Sequence, residues 1–248
     1  MRLAVVGTGL IGASAALAAR RAGEVEAVLG WDEDPAILEL AVEREAVVPA
    51  ASLAEAVAGA DLALVAVPVA GLPSVVAEVL AEAPAGCTVT DVGSTKGAVC
   101  AAVGDDPRFV GGHPICGAEA RGPGSASADL FEGATWFLAP LASTEPARYR
   151  AAHAFAVSLG ARPVAIDPAA HVPHALANVL LNQAGAARIE GHDPLTAAGG
   201  SLRDMTRIAG ANPRIWVDIF LENRAELQSA LGEHRRRVEQ LESALATG

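Results

Sequence analysis

The sequence predicts an α/β fold, a mostly parallel, doubly wound sheet followed by an all-helical C-terminal part, and three observations carry that prediction. From Arg2 to about Ile166, short Val-, Leu- and Ala-rich runs alternate with longer amphipathic segments, the pattern that βαβ units leave. Those apolar runs show no polar alternation, as expected of strands covered on both faces. After Asp167 the strand signals stop and everything reads as helix. Two domains follow, residues 1–167 and residues 168–248, an ordinary division for a chain of 248 residues.

Taken in order, the expected strands are LAVV near Leu3, VEAVLGW ending at Trp31, DLALVAV ending at Val67 and CTVTDV ending at Val92. RFVGG near Val110, ATWFLAP near Phe137 and ARPVAI ending at Ile166 complete the set. Residues 10–22, 35–44, 71–82 and 146–158 supply the helical crossovers. Beyond Asp167 come HALANVLLNQAGAARIE, SLRDMTRIAG and a long helix from Pro213 to about Ala246. In that last stretch Ile215, Trp216, Ile219, Phe220, Leu227, Leu231, Val238, Leu241 and Leu245 form one apolar stripe. A helical domain of this size cannot bury so long a stripe alone, so a second copy of the chain is the expected cover and a homodimer the expected assembly.

Composition narrows the function classes. Hydrophobic residues make up 52% and charged residues 19%, which excludes a disordered chain. A formal charge of −11 argues against nucleic-acid binding, which needs clustered cations, and the basic run Arg235–Arg237 reads as a solvated helix face. No apolar run reaches the length of a membrane span, and the residues after Met1 lead straight into a strand rather than a signal peptide. Cys87, Cys100 and Cys116 fall in neither a CxxC nor a Cys/His metal spacing, so no metal site is expected, and free thiols point to the cytoplasm.

The first chemical signal is GTGLIG. Gly7, Gly9 and Gly12 follow a strand and open a helix, with Leu10 and Ile11 in its first turn. The first glycine permits the tight turn, the second lets a pyrophosphate approach the backbone, and the third lets helix and sheet pack closely. Asp32 stands twenty residues beyond Gly12 at the end of the next strand, where a carboxylate accepts hydrogen bonds from an adenosine ribose. Together these define a Rossmann domain for NAD, since an NADP site would be expected to offer Arg or a small residue at that position. Asp34 is read as the N-cap of the helix beginning at Pro35. Pro68, closing VAVP, either ends its strand or leads a loop over the dinucleotide.

Two further segments bear on chemistry. In DVGSTKG, Ser94 and Lys96 follow a strand's carboxyl end, where open α/β sheets hold ligands. Ser94 or Thr95 caps the next helix, or the Ser94 hydroxyl reaches a substrate or the nicotinamide amide. In VGGHPICGAEARG, His113 lies between a glycine pair and a proline and is read as a loop residue. An imidazole there is either a surface histidine or the base that takes a hydroxyl proton as the same carbon gives up hydride.

GTGLIG, DVGSTKG, GGHPICGAE, HVPHALANVL and DMTRIAGANPRIWVDIFLENR, in this order, resemble the prephenate and arogenate dehydrogenase family over nearly the whole chain. The resemblance implies a Rossmann domain followed by a helical dimerisation domain, with NAD as cofactor and prephenate or arogenate as substrate. It implies oxidative decarboxylation to 4-hydroxyphenylpyruvate or to tyrosine. By the same resemblance His113 takes the ring hydroxyl proton, Ser94 holds His113 and the hydroxyl in register, and Arg207 pairs with a substrate carboxylate. His171 matches a histidine near the substrate side chain, Glu119 a residue pairing with the arginine, and Asp204 and Trp216 also match. Asp204 also reads as a residue that only orients Arg207, and Trp216 as core on the apolar stripe. The run DPAAHVPHALAN is about two helical turns shorter than the family pattern.

Two other readings compete. A Rossmann dehydrogenase of the 3-hydroxyacid or 6-phosphogluconate type would be expected to carry a lysine base in its helical half, and residues 168–248 contain no lysine. An NAD-binding protein without catalysis would keep GTGLIG and need neither His113 nor Arg207.

Overall fold

The computed structural model describes residues 1–116, 122–166 and 224–247. The chain divides into two compact units, Met1–Pro168 and Ala169–Gly248. The first is built on a single sheet of eight strands in the order β3-β2-β1-β4-β5-β6-β7-β8. These are β1 (Arg2–Val6), β2 (Ala27–Trp31), β3 (Val48–Pro49), β4 (Leu62–Val65), β5 (Thr88–Asp91), β6 (Phe109–Pro114), β7 (Thr135–Pro140) and β8 (Arg162–Ala165). Helices α1 (Leu10–Ala22), α2 (Pro35–Glu43), α3 (Leu53–Val57), α4 (Leu72–Glu82), α5 (Gly97–Val103) and α6 (Pro146–Ser158) connect them.

Successive residues of the central strands enter opposite cores, which shows why the sheet is covered on both sides. On β1, Leu3 and Val5 join one apolar cluster while Ala4 and Val6 join the other. β4 divides the same way, Leu62 and Leu64 against Ala63 and Val65. The continuous apolar runs are therefore two interleaved cores, one per face. The first core centres on Trp136, whose ring lies 5.2 Å from Phe131 and 6.2 Å edge-on from Phe155.

All neighbouring strands are parallel except β6 and β7, which run antiparallel. The described part of the β6–β7 connection holds only a 3₁₀ turn, Pro123–Ser125, in place of a crossover helix, so the chain turns back beside itself. Strand order reverses between β1 and β4, which opens a crevice at their carboxyl ends.

Several boundaries differ from the sequence reading. β4 ends at Val65 and β5 at Asp91, each short of its apolar run, because the chain turns away toward the carboxyl edge. α4 starts at Leu72, preceded by a 3₁₀ turn, Val69–Gly71. The two-residue β3 and the five-residue α3 were not expected. Ser52 caps α3, its hydroxyl accepting the Glu55 N–H at 3.1 Å while Glu55 accepts the Ala51 N–H at 2.6 Å.

In the second unit the described element is α7 (Arg224–Thr247). Val238, Leu241 and Leu245 are 41%, 60% and 76% exposed on it. Among the described residues no helix is long and apolar enough to cross a membrane.

Candidate functional site

At the end of β1 the backbone turns at Gly7, whose φ of +90° lies in the region that favours glycine. A Cβ there would stand 2.6 Å from the Ala66 carbonyl oxygen. The Gly7 N–H donates to the Trp31 carbonyl at 2.8 Å, tying the turn to the end of β2. A Cβ on Gly12 would overlap the Gly7 carbonyl oxygen, so α1 rests directly on the turn. Gly9 caps α1 with no side chain over the helix end, and a Cβ there would meet nothing within 4 Å. The N–H groups of the first helical turn thus face open space, where the helix dipole favours an anion.

That space is a cleft of about 560 Å³ lined by Gly7, Gly9, Trp31, Asp32, Pro68 and Gly122, among others. Asp32 Oδ2 accepts the Thr8 N–H at 2.6 Å and the Thr8 hydroxyl at 3.2 Å, and Oδ1 accepts the Asp34 N–H at 3.1 Å. Asp34 caps α2 as expected, accepting the Ala36 N–H at 2.9 Å with Pro35 opening the helix. Leu10, Ile11 and Gly12 are not among the residues lining the cleft; Gly12 acts through packing, and Leu10 and Ile11 form the first turn of α1. The cleft fits a dinucleotide: bare backbone and a helix N-terminus for the pyrophosphate, a fixed carboxylate for the ribose. Gly122 belongs to a segment pinned against α1, where Ser14 accepts the Ser127 N–H at 3.1 Å and Arg21 reaches Asp129 and Glu132.

The turn after β5 differs from the sequence reading. Lys96, not Ser94 or Thr95, is the N-cap of α5, and no side chain caps that helix. The Lys96 ammonium is drawn away to the carboxylate of Asp91 in an ion pair whose side chains are 1% and 0% exposed. Ser94 is left half-buried on the turn between them.

His113 is a strand residue rather than a loop residue. β6 pairs with β5 only at Val89↔Phe109 and Thr90↔Val110, but β7 carries it on, with Gly112↔Leu138, His113↔Phe137 and Pro114↔Trp136. The antiparallel partner is what extends the strand through Pro114. His113 is half-buried, its ring centroid 6.4 Å from that of Phe137. Glu119, His171, Asp204, Arg207 and Trp216 lie outside the described residues.

Sequence reasoning missed how Asp91 and Lys96 are used. Asp91 Oδ1 accepts the Gly112 N–H at 2.9 Å and Oδ2 accepts the Gly93 N–H at 2.9 Å. The available signal was an acid at a strand end five residues before a lysine, DVGSTK.

A glycine turn, an open helix N-terminus and a fixed acid at the reversal point of a doubly wound sheet define a dinucleotide-binding Rossmann domain. The chain belongs to the prephenate dehydrogenase family: the model of its nucleotide-binding domain matches residues 15–165, and that of its dimerization domain residues 165–248. The prephenate dehydrogenase of Lactococcus lactis subsp. cremoris is 30% identical over 234 residues, 90% of this chain and 65% of the relative. This chain therefore spans just under two thirds of that relative's length. The crystal structure of Synechocystis arogenate dehydrogenase superposes with a TM-score of 0.78 at 25% identity, covering 100% of this chain and 92% of that one. Prephenate dehydrogenase from A. aeolicus, in complex with hydroxyphenyl propionate and NAD+, gives a TM-score of 0.73 at 28% identity, covering 99% and 91%.

Proposed function

We propose that this protein catalyses the NAD-dependent oxidative decarboxylation of prephenate to 4-hydroxyphenylpyruvate, a step in making tyrosine, as a cytoplasmic homodimer. The observation that carries this reading is the cleft at Asp32 in a chain whose family membership extends through both halves. Asp32 holds the adenosine ribose, and Gly7, Gly9 and the first turn of α1 hold the pyrophosphate, with Pro68 at the rim.

The bound nicotinamide supplies a hydride acceptor. His113 accepts the proton of the ring hydroxyl as hydride departs from the same carbon and carbon dioxide leaves the ring. Aromatisation drives the step, so alignment and one base suffice. Ser94 keeps the hydroxyl and His113 in register. Arg207 pairs with a substrate carboxylate through its planar guanidinium, and Glu119, His171, Asp204 and Trp216 are the further substrate-binding residues of this reading.

The match of the second half to a dimerization domain and the exposed Val238, Leu241 and Leu245 on α7 support a homodimer through the helical half. None of the three cysteines is in a disulfide, which supports a reducing compartment.

A second reading, arogenate to tyrosine, draws support from the likeness to the Synechocystis enzyme. NADH absorbance, followed with each acid in turn, separates them. Faster turnover of prephenate is expected; faster turnover of arogenate favours the second reading, and no turnover of either removes both.

A further inference from the structure

Eighteen residues of this chain are basic, and Lys96 is the only lysine; the other seventeen are arginine. That single lysine is also among the largest fully buried side chains, at 1% exposure. Its partner, Asp91, is 0% exposed and ends β5. The pair lies outside the cofactor cleft, and the catalytic steps above leave it without a task.

The contacts of the Asp91 carboxylate assign it one. Oδ1 accepts the N–H of Gly112, the residue before His113, and Oδ2 accepts the N–H of Gly93, the residue before Ser94. The Lys96 ammonium, at the N-cap of α5, closes the same group from the far side of the Ser94 turn. One carboxylate therefore fixes both backbones from which the hydroxyl and the imidazole project.

Three glycines make the space. A Cβ on Gly93 would come within 3.0 Å of Asp91 Oδ2, one on Gly111 within 2.9 Å of Lys96 Cδ, and one on Gly112 would overlap the Asp91 carbonyl oxygen. The glycine pair before His113 is thus the mould of the Asp91–Lys96 pair. A slender methylene stem and a compact ammonium fit this mould; a planar guanidinium is wider and spreads its donors in a fork. That difference accounts for a lysine at the one basic position that is fully enclosed among the described residues, in a chain that otherwise uses arginine.

We propose that Asp91 and Lys96 are positioning residues that clamp the Ser94 turn to the His113 strand and so set the geometry of proton removal from the substrate. The proposal rests on the catalytic reading of Ser94 and His113 given above.

Two variants test it: Asp91→Asn combined with Lys96→Met, which removes both charges and leaves no unpaired ion, and Lys96→Arg, which keeps the charge and changes its shape. NAD+ binding counts the folded sites, since the clamp is separate from the cleft at Asp32. Per NAD+-binding site, kcat with the better acid falls at least about tenfold in both variants, while the Kd for NAD+ stays within about twofold. A merely structural role would reduce the number of sites and leave kcat per site unchanged, and that result overturns the proposal.

If the wild-type protein turns over neither acid, the catalytic reading fails by itself. The clamp is then read from the imidazole NMR resonance of His113, assigned by its loss in His113→Asn. A moved resonance in the double variant supports the clamp, and an unmoved one overturns it. Should both variants fail to fold, acylation of the wild-type protein by an amine-reactive ester decides the matter. The Lys96 amine is expected to stay unmodified in the native state and to react after unfolding; a Lys96 that reacts in the native state overturns the enclosure on which the clamp depends.

Discussion

One oxygen of Asp32 accepts both the backbone N–H of Thr8, at 2.6 Å, and the Thr8 hydroxyl, at 3.2 Å, so the acid at the end of β2 is oriented by the turn after β1. A carboxylate has about four lone-pair positions, and with Asp34 on the other oxygen three are engaged, leaving acceptor capacity for a ribose hydroxyl. A hydrogen bond to a charged group contributes about 1.5–3 kcal/mol, so Asp32→Ala should weaken NAD+ binding roughly 10- to 100-fold and narrow its preference over NADP+. Trp31 lines the same cleft, and its fluorescence provides the titration. An unchanged Kd for NAD+ would take Asp32 out of the cofactor site.

Gly9 and Gly12 make a contrasting pair. A methyl group at residue 12 must push α1 off the Gly7 carbonyl, whereas one at residue 9 meets nothing within 4 Å. Overpacking of this kind costs about 1–3 kcal/mol, or roughly 2–4 °C of Tm per kcal/mol in a chain of this size. Gly12→Ala should lower Tm and weaken NAD+ binding together. Gly9→Ala should keep Tm and still weaken NAD+, because its methyl occupies the path of the pyrophosphate. If Gly9→Ala binds NAD+ normally, the phosphate does not pass over Gly9.

The parts of this fold legible in the sequence are those whose signal is local. β1, α1, β2 and α6 lie where the apolar runs and amphipathic segments place them, and the positions of the GTGLIG turn, Asp32 and the capping Asp34 were readable because each follows from its distance to a neighbour in sequence. β3, with two residues, and α3, with five, are too short to show a period. His113 looked like a loop residue because Gly-Gly and Pro flank it; its strand exists through pairing with β7, about twenty-five residues later. The burial of Lys96 was hidden for the same reason. A lone lysine after a strand reads as exposed, and only the meeting of β5 with the Gly111–Gly112 pair shows what it faces.

If His113 is the base, His113→Asn removes the proton acceptor and keeps a side chain of similar shape. Kcat should fall by at least about a hundredfold with little change in NAD+ affinity. Arg207→Ala should chiefly raise KM for the acid. A near-wild-type rate in the first variant, or an unchanged KM in the second, would remove that residue from its role.

The exposed stripe on α7 leads to a prediction about assembly. Val238, Leu241 and Leu245 follow at spacings of three and four, and burying a Leu or Val side chain contributes about 1.5–3 kcal/mol. Leu241→Glu should shift the protein from dimer to monomer in light scattering at micromolar concentration. A wild-type protein that is already monomeric there would count against the dimer itself.

Two thiols set an alkaline limit on stability. Burial pushes Cys87 from its ordinary 9.0 to about 11, against a smaller opposing pull from Arg108, and burial alone pushes Cys116 to about 11. The folded state therefore keeps these protons where the unfolded chain has released them. Below pH 9 both states are protonated and stability is insensitive to these groups. Between pH 9 and 11 the unfolded chain binds fewer protons, so stability falls as pH rises, by about 1.4 kcal/mol for each unit of separation per group. The urea midpoint should hold steady to about pH 8.5 and then decline toward pH 11, and Cys87→Ala should decline less steeply than wild type over that interval. At pH 8 roughly one thiol in a thousand is ionised at each site, so Ellman's reagent should find both cysteines unreactive until the protein unfolds. Parallel midpoint curves for wild type and Cys87→Ala between pH 9 and 11 would show that the Cys87 proton is not held by burial.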